Sequence, residues 1–210
     1  AGEHPQVIAS VVKLVKDNVQ WDNRYKIMPE PLAQIVKSRS GSNADINCLI
    51  AGCLREVGYM VEPVMVKFRS SGLLLEFQPE MHPYDTFILK VDAPDGKSYY
   101  LDGGDSSGYV NILNPQMLVE KGRVLRPDGR SEWVDLTRLG RNGIVMNVKA
   151  KVTPDRLLAG SVNARFSGQD SYQEKGRFSS YDEDGFIEDI ENDYVQTQTV
   201  TKTVPQFTPT

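Results

Sequence analysis

The chain has 210 residues, 40% of them hydrophobic and 25% charged, which is enough for one large or two small domains with a buried core. Its net charge of -4 and pI of about 5.3 give no basic excess of the kind that binds nucleic acid or an anionic membrane. No run of 18 apolar residues occurs, so the sequence predicts no membrane-spanning helix.

The N-terminal part of the chain predicts a helix followed by a loop. The first residues, AGEHPQ, lack the basic and apolar regions of a signal peptide, and we expect them to be a mature end or a boundary within a longer protein. Apolar residues from His4 to Val19 follow helical spacing. Pro29 and Pro31 predict a loop over Trp21 to Pro31, and a short helix or turn is expected over Leu32 to Lys37.

Residues Gly41 to Gly58 predict a buried helix. Ser42 and Asp45 have the spacing of a capping box, and Gly58 is placed to end the helix in the left-handed conformation. One face is apolar and a second face consists of small residues, which favours burial between two layers. The apolar face comprises Ile46, Leu49, Ile50, Cys53, Leu54 and Val57, and the small face comprises Ala44, Cys48, Ala51 and Gly52. Cys48 and Cys53 point in different directions on such a helix, so we expect no disulfide between them.

The next segments predict an antiparallel sheet. Tyr59 to Phe68 is typical of a buried strand, with Pro63 placing it at an edge or a bulge. Thr86 to Asp92 and Ser98 to Leu101 predict a hairpin across Asp95-Gly96. Further short elements are expected at Val110 to Asn114, Arg123 to Leu125 and, as the last strand, Trp133 to Leu136, the first two of them at an edge of the sheet. The connection Ser70 to Pro83 carries Leu73, Leu74 and Leu75, for which we expect either a plug in a cleft or an apolar binding surface.

A polar, glycine-containing stretch at Arg138 to Asn142 predicts a domain boundary. The elements expected after it are a half-buried strand at Ile144 to Val152, a partner strand at Leu157 to Phe166 with a bulge at Gly160, a short helix or loop at Gly168 to Gly176, a helix at Glu183 to Tyr194 and a strand at Val195 to Val204.

Several segments occur in the order known from one family. They are GSNADIN from Gly41, LREVG from Leu54, VEPVMVKFRSSG from Val61 and YDTFILKVDAPDGKSYYLDGGD from Tyr84. Over roughly residues 5 to 135 the sequence resembles the transglutaminase-like (papain-related) domain of exported bacterial proteins. The resemblance implies an α+β fold: a cysteine-proteinase-like core of helices on an antiparallel sheet over residues 1–137. Part of a small α+β or β-rich domain, truncated, would follow over residues 143–210.

The resemblance also implies a catalytic triad that this sequence does not keep. Asn43 stands where the family has its nucleophilic cysteine, and Thr86 stands where it has its histidine. Asp102 alone retains the residue type of the orienting carboxylate. Because an amide is not a nucleophile and threonine does not take up a proton near neutral pH, we expect an inactive homologue.

Two alternatives for chemistry remain open. One is a cysteine-dependent hydrolase or acyltransferase that uses Cys48 with His82 and Asp102, although Cys48 would lie inside the helix rather than at its N-terminus. The other is a calcium site, because oxygen ligands are the only candidates in the absence of histidine or cysteine clusters. Its candidate ligands are Asp85, Asp92, Asp102 and Asp105.

The expected function is therefore a non-catalytic module with a binding or structural role in a larger exported bacterial protein, periplasmic or at the cell surface. In the binding role, Asn43, Asn47, Thr86 and Asp102 would form the floor of the former cleft and contact a peptide, protein or glycan. In the structural role, the same side chains would cap the helix and satisfy one another. We expect no cofactor, no metal and no nucleic acid, and other domains of the same polypeptide are expected partners.

Overall fold

The computed structural model describes residues 3–74, 83–105, 107–140, 142–156 and 158–181, together with residues 185, 188 and 189. The chain divides into two compact units, Ala1–Leu139 and Gly140–Thr210. The resemblance implies a transglutaminase-like domain over residues 1–137 and part of a small α+β or β-rich domain over residues 143–210. Both assignments stay predictions.

The first unit is built on a five-stranded antiparallel sheet. Its helices are α1 (Glu3–Asn18), α2 (Leu32–Ser38) and α3 (Asn43–Glu56), and its strands are β1 (Gln20–Trp21), β2 (Ser40–Gly41), β3 (Met60–Val66), β4 (Thr86–Asp92), β5 (Ser98–Leu101), β6 (Gly122–Leu125) and β7 (Ser131–Val134). The sheet order is β5-β4-β3-β6-β7, whereas β1 and β2 form a separate parallel pair. The architecture is α+β, as predicted.

Helix α3 packs between α1 and the sheet, at β3 and β4. Ser42 and Asp45 form the predicted capping box, in which the Ser42 hydroxyl accepts from the Asp45 N–H and the Asp45 carboxylate accepts from the Ser42 N–H. The predicted faces are wrong at two positions. Gly52 is exposed on the solvent side, and Val57 is 55% exposed because it lies beyond the last helical residue.

Strand β3 is the central strand, so its predicted position at an edge or bulge is wrong. Its residues pair along their whole length with β4, from Met60 opposite Asp92 to Val66 opposite Thr86. The pairing with β6 involves only Val64 and Met65 of β3. Pro63, which lacks an N–H, therefore lies just outside the second ladder.

Two other predicted edge elements also differ. β6 is an interior strand between β3 and β7, and the segment from Val110 to Asn114 forms a turn rather than a strand. In that turn, Asn111 adopts a left-handed conformation and binds the outer side of β5, since Tyr100 N donates to Asn111 Oδ1 and Asn111 N donates to Tyr100 O. This contact occupies one edge of the sheet.

The hairpin of β4 and β5 is confirmed, with Gly96 at a φ of 81° in its turn. Leu73 does not plug a cleft, because it is 83% exposed, and Leu75 lies outside the described residues.

The second unit contains the hairpin of β8 (Gly143–Val152) and β9 (Leu158–Ser167), followed by α4 (Gln169–Ser180). The register is regular from one end to the other, so the predicted bulge at Gly160 is absent from this hairpin. The predicted half-burial of β8 is also wrong: its side chains are mostly exposed, Val148 and Val152 by 60% and 71%. Among the described residues, α4 packs on the hairpin through β9. The helix predicted at 183–194 lies largely, and the strand predicted at 195–204 entirely, outside the described residues.

In the part of the chain that the structure describes, no helix combines the length and apolarity that crossing a membrane requires.

Candidate functional site

The fold brings together all four residues that the sequence singled out. Asn43 and Asn47 lie one turn apart on α3, Thr86 begins β4, and Asp102 directly follows β5. The antiparallel pairing of β4 with β5 and the packing of α3 on β4 create this convergence. Asn43, Asn47 and Thr86 are 0% exposed and Asp102 is 5% exposed. The site is therefore a buried polar cluster rather than an open surface.

Both polar atoms of the Asn43 side chain have hydrogen-bond partners. Its Nδ2 donates to Thr86 Oγ1 and, at 3.4 Å, to Phe87 O. Its Oδ1 accepts from the backbone N–H of Lys26 at 2.8 Å, and its own backbone N–H donates to Arg24 O at 3.1 Å. Thr86 Oγ1 in turn donates to Lys26 O at 3.2 Å. The two positions expected to hold a nucleophile and a base thus bind each other and the same backbone segment.

Asn47 connects α3 to both strands of the hairpin. Its Nδ2 donates to Phe87 O at 2.9 Å and to Asp102 Oδ1 at 3.0 Å, and its Oδ1 accepts from Gly103 N at 2.7 Å. An amide with two donors and one acceptor oxygen fits these three partners. Asn47 therefore fixes the exit of β5 against the helix.

Asp102 is held by fewer contacts than the asparagines. Its Oδ1 accepts from Asn47, whereas its Oδ2 is buried and has no hydrogen-bond partner among the described residues. Burial raises the pKa of this carboxyl above its ordinary range, although the Asn47 hydrogen bond and the Lys16 ammonium favour the charged form.

The segment of residues 22–30, which we call the strap, passes over the cluster. It begins where Asp22 N donates to Gly41 O at 2.9 Å and ends where Glu30 N donates to Asp45 Oδ1 at 2.6 Å. Between these points, Arg24 and Lys26 make the backbone hydrogen bonds to Asn43 and Thr86. The predicted loop is therefore present, and it covers the site.

A row of aromatic rings continues the cover. Trp21 meets Tyr25 edge-on with ring centroids 5.1 Å apart, and Tyr25 meets Phe68 edge-on at 5.0 Å. Burial, followed by the negative charges of Asp102 and Asp105, raises the pKa of the Tyr25 phenol well above its usual value. Tyr25 is thus a neutral, fixed part of the cover.

Gly103 and Gly104 allow the chain to pass close to α3. A Cβ on Gly103 would lie 2.7 Å from Ile46 Cγ2 and from Ile50 Cδ1, and a Cβ on Gly104 would lie 2.9 Å from Asn43 Cβ. Both distances are shorter than a normal carbon–carbon contact, so only glycine fits at either position without movement of its neighbours.

The alternative nucleophile, Cys48, is half-buried against the core. Burial, followed by the charge of Asp45, raises the pKa of its thiol. Its proposed base, His82, lies outside the described residues. The other histidine of the chain, His4, packs on Tyr59, with its Nδ1 at 3.0 Å from the Tyr59 hydroxyl, and is half-buried.

The candidate calcium ligands were Asp85, Asp92, Asp102 and Asp105. Among the described residues no group of three or more His, Cys, Asp or Glu side chains has the arrangement of a metal site. The candidate acids have separate partners: Asp85 Oδ2 accepts from Phe68 N at 2.7 Å, and Asp92 Oδ2 accepts from Lys90 at 2.6 Å. Lys90 also reaches Glu62 at 3.4 Å, which places Asp92 in an ion-pair network on the sheet.

The site also depends on groups that the sequence did not reveal. They are the backbone N–H and C=O of Lys26, the carbonyls of Arg24 and Phe87 and the N–H of Gly103. Backbone groups leave no residue-type signal, except at Gly103, where the paired glycines after Asp102 mark a close approach.

No protein-family model matches the chain, and no match was found among curated proteins. Among solved structures, the chain is similar to a "putative protease" from Parabacteroides distasonis, with 15% sequence identity and a TM-score of 0.46. The match covers 73% of this chain and 31% of that one, so the chain spans less than a third of that protein's length. A likeness at this level establishes neither a common fold nor a common activity.

Proposed function

We propose that the first unit is a non-catalytic, transglutaminase-like module with a structural role in a larger exported bacterial protein. The proposal rests on the resemblance of the sequence segments and on one structural observation in particular. The Asn43 side chain, at the position of the family's nucleophile, is 0% exposed and hydrogen-bonded at both its oxygen and its nitrogen.

This arrangement favours a structural role of the site over a catalytic one. Acyl transfer by a cysteine enzyme requires a nucleophile, a base within hydrogen-bond reach of it and access for the substrate. Asn43 and Thr86 supply neither a nucleophile nor a base, and both side chains are hydrogen-bonded to the strap. Their hydrogen bonds instead join α3, β4 and the strap.

Binding of a peptide, protein or glycan at the same place is a separate prediction. Asn43, Asn47, Thr86 and Asp102 have 0 to 5% of their surface exposed, so a ligand would contact them only after the residues that cover them had moved. The structural role needs no such movement, and for that reason we favour it. The periplasmic or cell-surface location is part of the proposal and follows from the resemblance.

The second candidate function, a cysteine-dependent hydrolase or acyltransferase, is tested by the reactivity of the two thiols. We expect Cys48 and Cys53 of the folded protein to react slowly with iodoacetamide at every pH up to about 8.5, the pKa of an ordinary thiol. Both cysteines are half-buried on α3, and burial raises the pKa of Cys48. Alkylation is read at each site by mass spectrometry, with the denatured chain as the fully reactive control.

Fast alkylation of Cys48 with an apparent pKa well below about 8.5, the ordinary thiol value, contradicts the proposal and favours the enzyme. Equal, slow labelling of both cysteines until the protein unfolds supports it.

A further inference from the structure

We propose that Asn43 and Thr86 act together as a latch that holds the strap closed over the buried cluster. Breaking this latch is expected to release the middle of the strap locally, while the sheet beneath it stays folded. The inference goes beyond the absence of catalysis, because it gives the two substituted positions a conformational role of their own.

The ends of the strap are anchored independently of the latch. Asp22 N, directly after β1, donates to Gly41 O of β2, and Glu30 N donates to the Asp45 carboxylate of the α3 capping box. Neither contact involves the side chain of Asn43 or of Thr86. Loss of the latch therefore leaves a loop that is still tied at both ends.

At Lys26 the middle of the strap is held by the two side chains, beside the backbone hydrogen bond from Asn43 N to Arg24 O. Lys26 donates its N–H to Asn43 Oδ1 at 2.8 Å and accepts from Thr86 Oγ1 at its carbonyl at 3.2 Å. The hydrogen bond from Asn43 Nδ2 to Thr86 Oγ1 completes a closed ring of three hydrogen bonds. Hydrogen bonds connected in this way in a buried site support one another.

The pair of residue types is suited to this task. An amide supplies an acceptor for the Lys26 N–H and a donor for the Thr86 hydroxyl at the same time, and the hydroxyl can accept and donate at once. The thiol that the resemblance implies at position 43 is a weak donor and a weak acceptor, and so would hold the strap less firmly. Asn43 and Thr86, which replace the nucleophile and the base that the resemblance implies, therefore also hold the strap closed.

Amide hydrogen exchange of the full chain, read by NMR, tests the latch. In Thr86→Val the Lys26 N–H keeps its own acceptor, Asn43 Oδ1, so faster exchange of this proton reports opening of the strap and not merely a lost bond. We expect exchange at Lys26 to accelerate about tenfold or more, because the buried Lys26 carbonyl loses its donor. The Val91 amide, in the part of β4 paired on both sides, is the reference and is expected to keep its rate.

Two further variants separate the latch from general destabilisation. Thr86→Ser retains the hydroxyl, and exchange at Lys26 is expected to stay as slow in this variant as in the wild type. Asn47→Ala removes three hydrogen bonds from the same cluster, none of them to the strap, and is expected to raise exchange at Lys26 and Val91 in the same proportion. The latch is refuted if exchange at Lys26 in Thr86→Val keeps the wild-type rate, or if it rises only in proportion to Val91. Slow thiol alkylation combined with either result would leave the non-catalytic assignment standing and remove the latch alone.

Discussion

Replacing Asn47 with alanine is expected to destabilise the Ala1–Leu139 unit by about 3–4 kcal/mol, since each buried partner left without a hydrogen bond costs about 1–3 kcal/mol. The substitution deprives Asp102 Oδ1 and Gly103 N of the partners found here and removes the closer donor to Phe87 O. Urea unfolding followed by tryptophan fluorescence measures the effect. Both tryptophans, Trp21 and Trp133, lie in this unit.

The matched control is Asn18→Ala at the exposed end of α1. Asn18 Nδ2 donates to Leu14 O at 2.8 Å, but on the surface, where water replaces the lost contact. We expect a change within about 0.5 kcal/mol. Equal effects of the two substitutions would contradict the view that Asn47 joins the helix to the hairpin.

The cost of Asn47→Ala should also depend on pH. Burial raises the pKa of Asp102 in the folded protein above that of the unfolded chain, so the folded state binds more protons in the interval between them. The contribution of Asp102 to stability is therefore greatest below the unfolded pKa and is lost as pH rises through the folded pKa. Asn47 donates to the charged form, and its removal raises the folded pKa further. The destabilisation by Asn47→Ala is thus expected to increase as pH rises above the folded pKa of Asp102, which lies above the ordinary value of about 3.9, and a decrease would contradict this prediction.

Gly103→Ala is expected to destabilise the same unit by about 2 kcal/mol, within the usual range for overpacking. The added Cβ would lie 2.7 Å from Ile46 Cγ2 and Ile50 Cδ1, both in the core between α3 and the sheet. Relief would require α3 and the chain after β5 to separate, which would strain the Asn47 hydrogen bonds. Thermal unfolding in the same fluorescence assay gives the magnitude.

Gly52→Ala provides the opposite control on the same helix. Gly52 is exposed, and a Cβ there meets nothing within 4 Å. Because alanine is favoured over glycine in a helix interior, this change is expected to stabilise the unit by about 1 kcal/mol. Destabilisation by both substitutions would mean that α3 does not pack as described.

Local signals in the sequence predicted the local structure well. The capping box at Ser42 and Asp45 and the hairpin around Gly96 depend on neighbouring residues, and both are present. Strand order depends on contacts between distant segments. Pro63 therefore indicated an edge, although β3 is central and only its ladder with β6 stops beside Pro63, at Val64.

The candidate site, too, was predictable from the sequence only in part. The sequence predicted that Asn43, Asn47, Thr86 and Asp102 come together, because the resemblance gave their relative positions. It did not predict that the strap covers the cluster. The strap is held there through the backbone N–H and C=O of Lys26, and backbone groups leave no residue-type signal in the sequence. The exposure of β8 was also not predictable, since alternation along a strand does not reveal what packs against it.

The exchange of side-chain amide protons tests most directly whether the cluster is closed. In an NMR experiment after transfer to D₂O, the Nδ2 protons of Asn43 and Asn47 are expected to exchange far more slowly than those of the exposed Asn18, because both are 0% exposed and hydrogen-bonded to protein groups. Slow exchange at both asparagines supports a closed, structural site. Exchange as fast as that of Asn18 would mean that the cluster is open to solvent, and would contradict the structural role proposed for it.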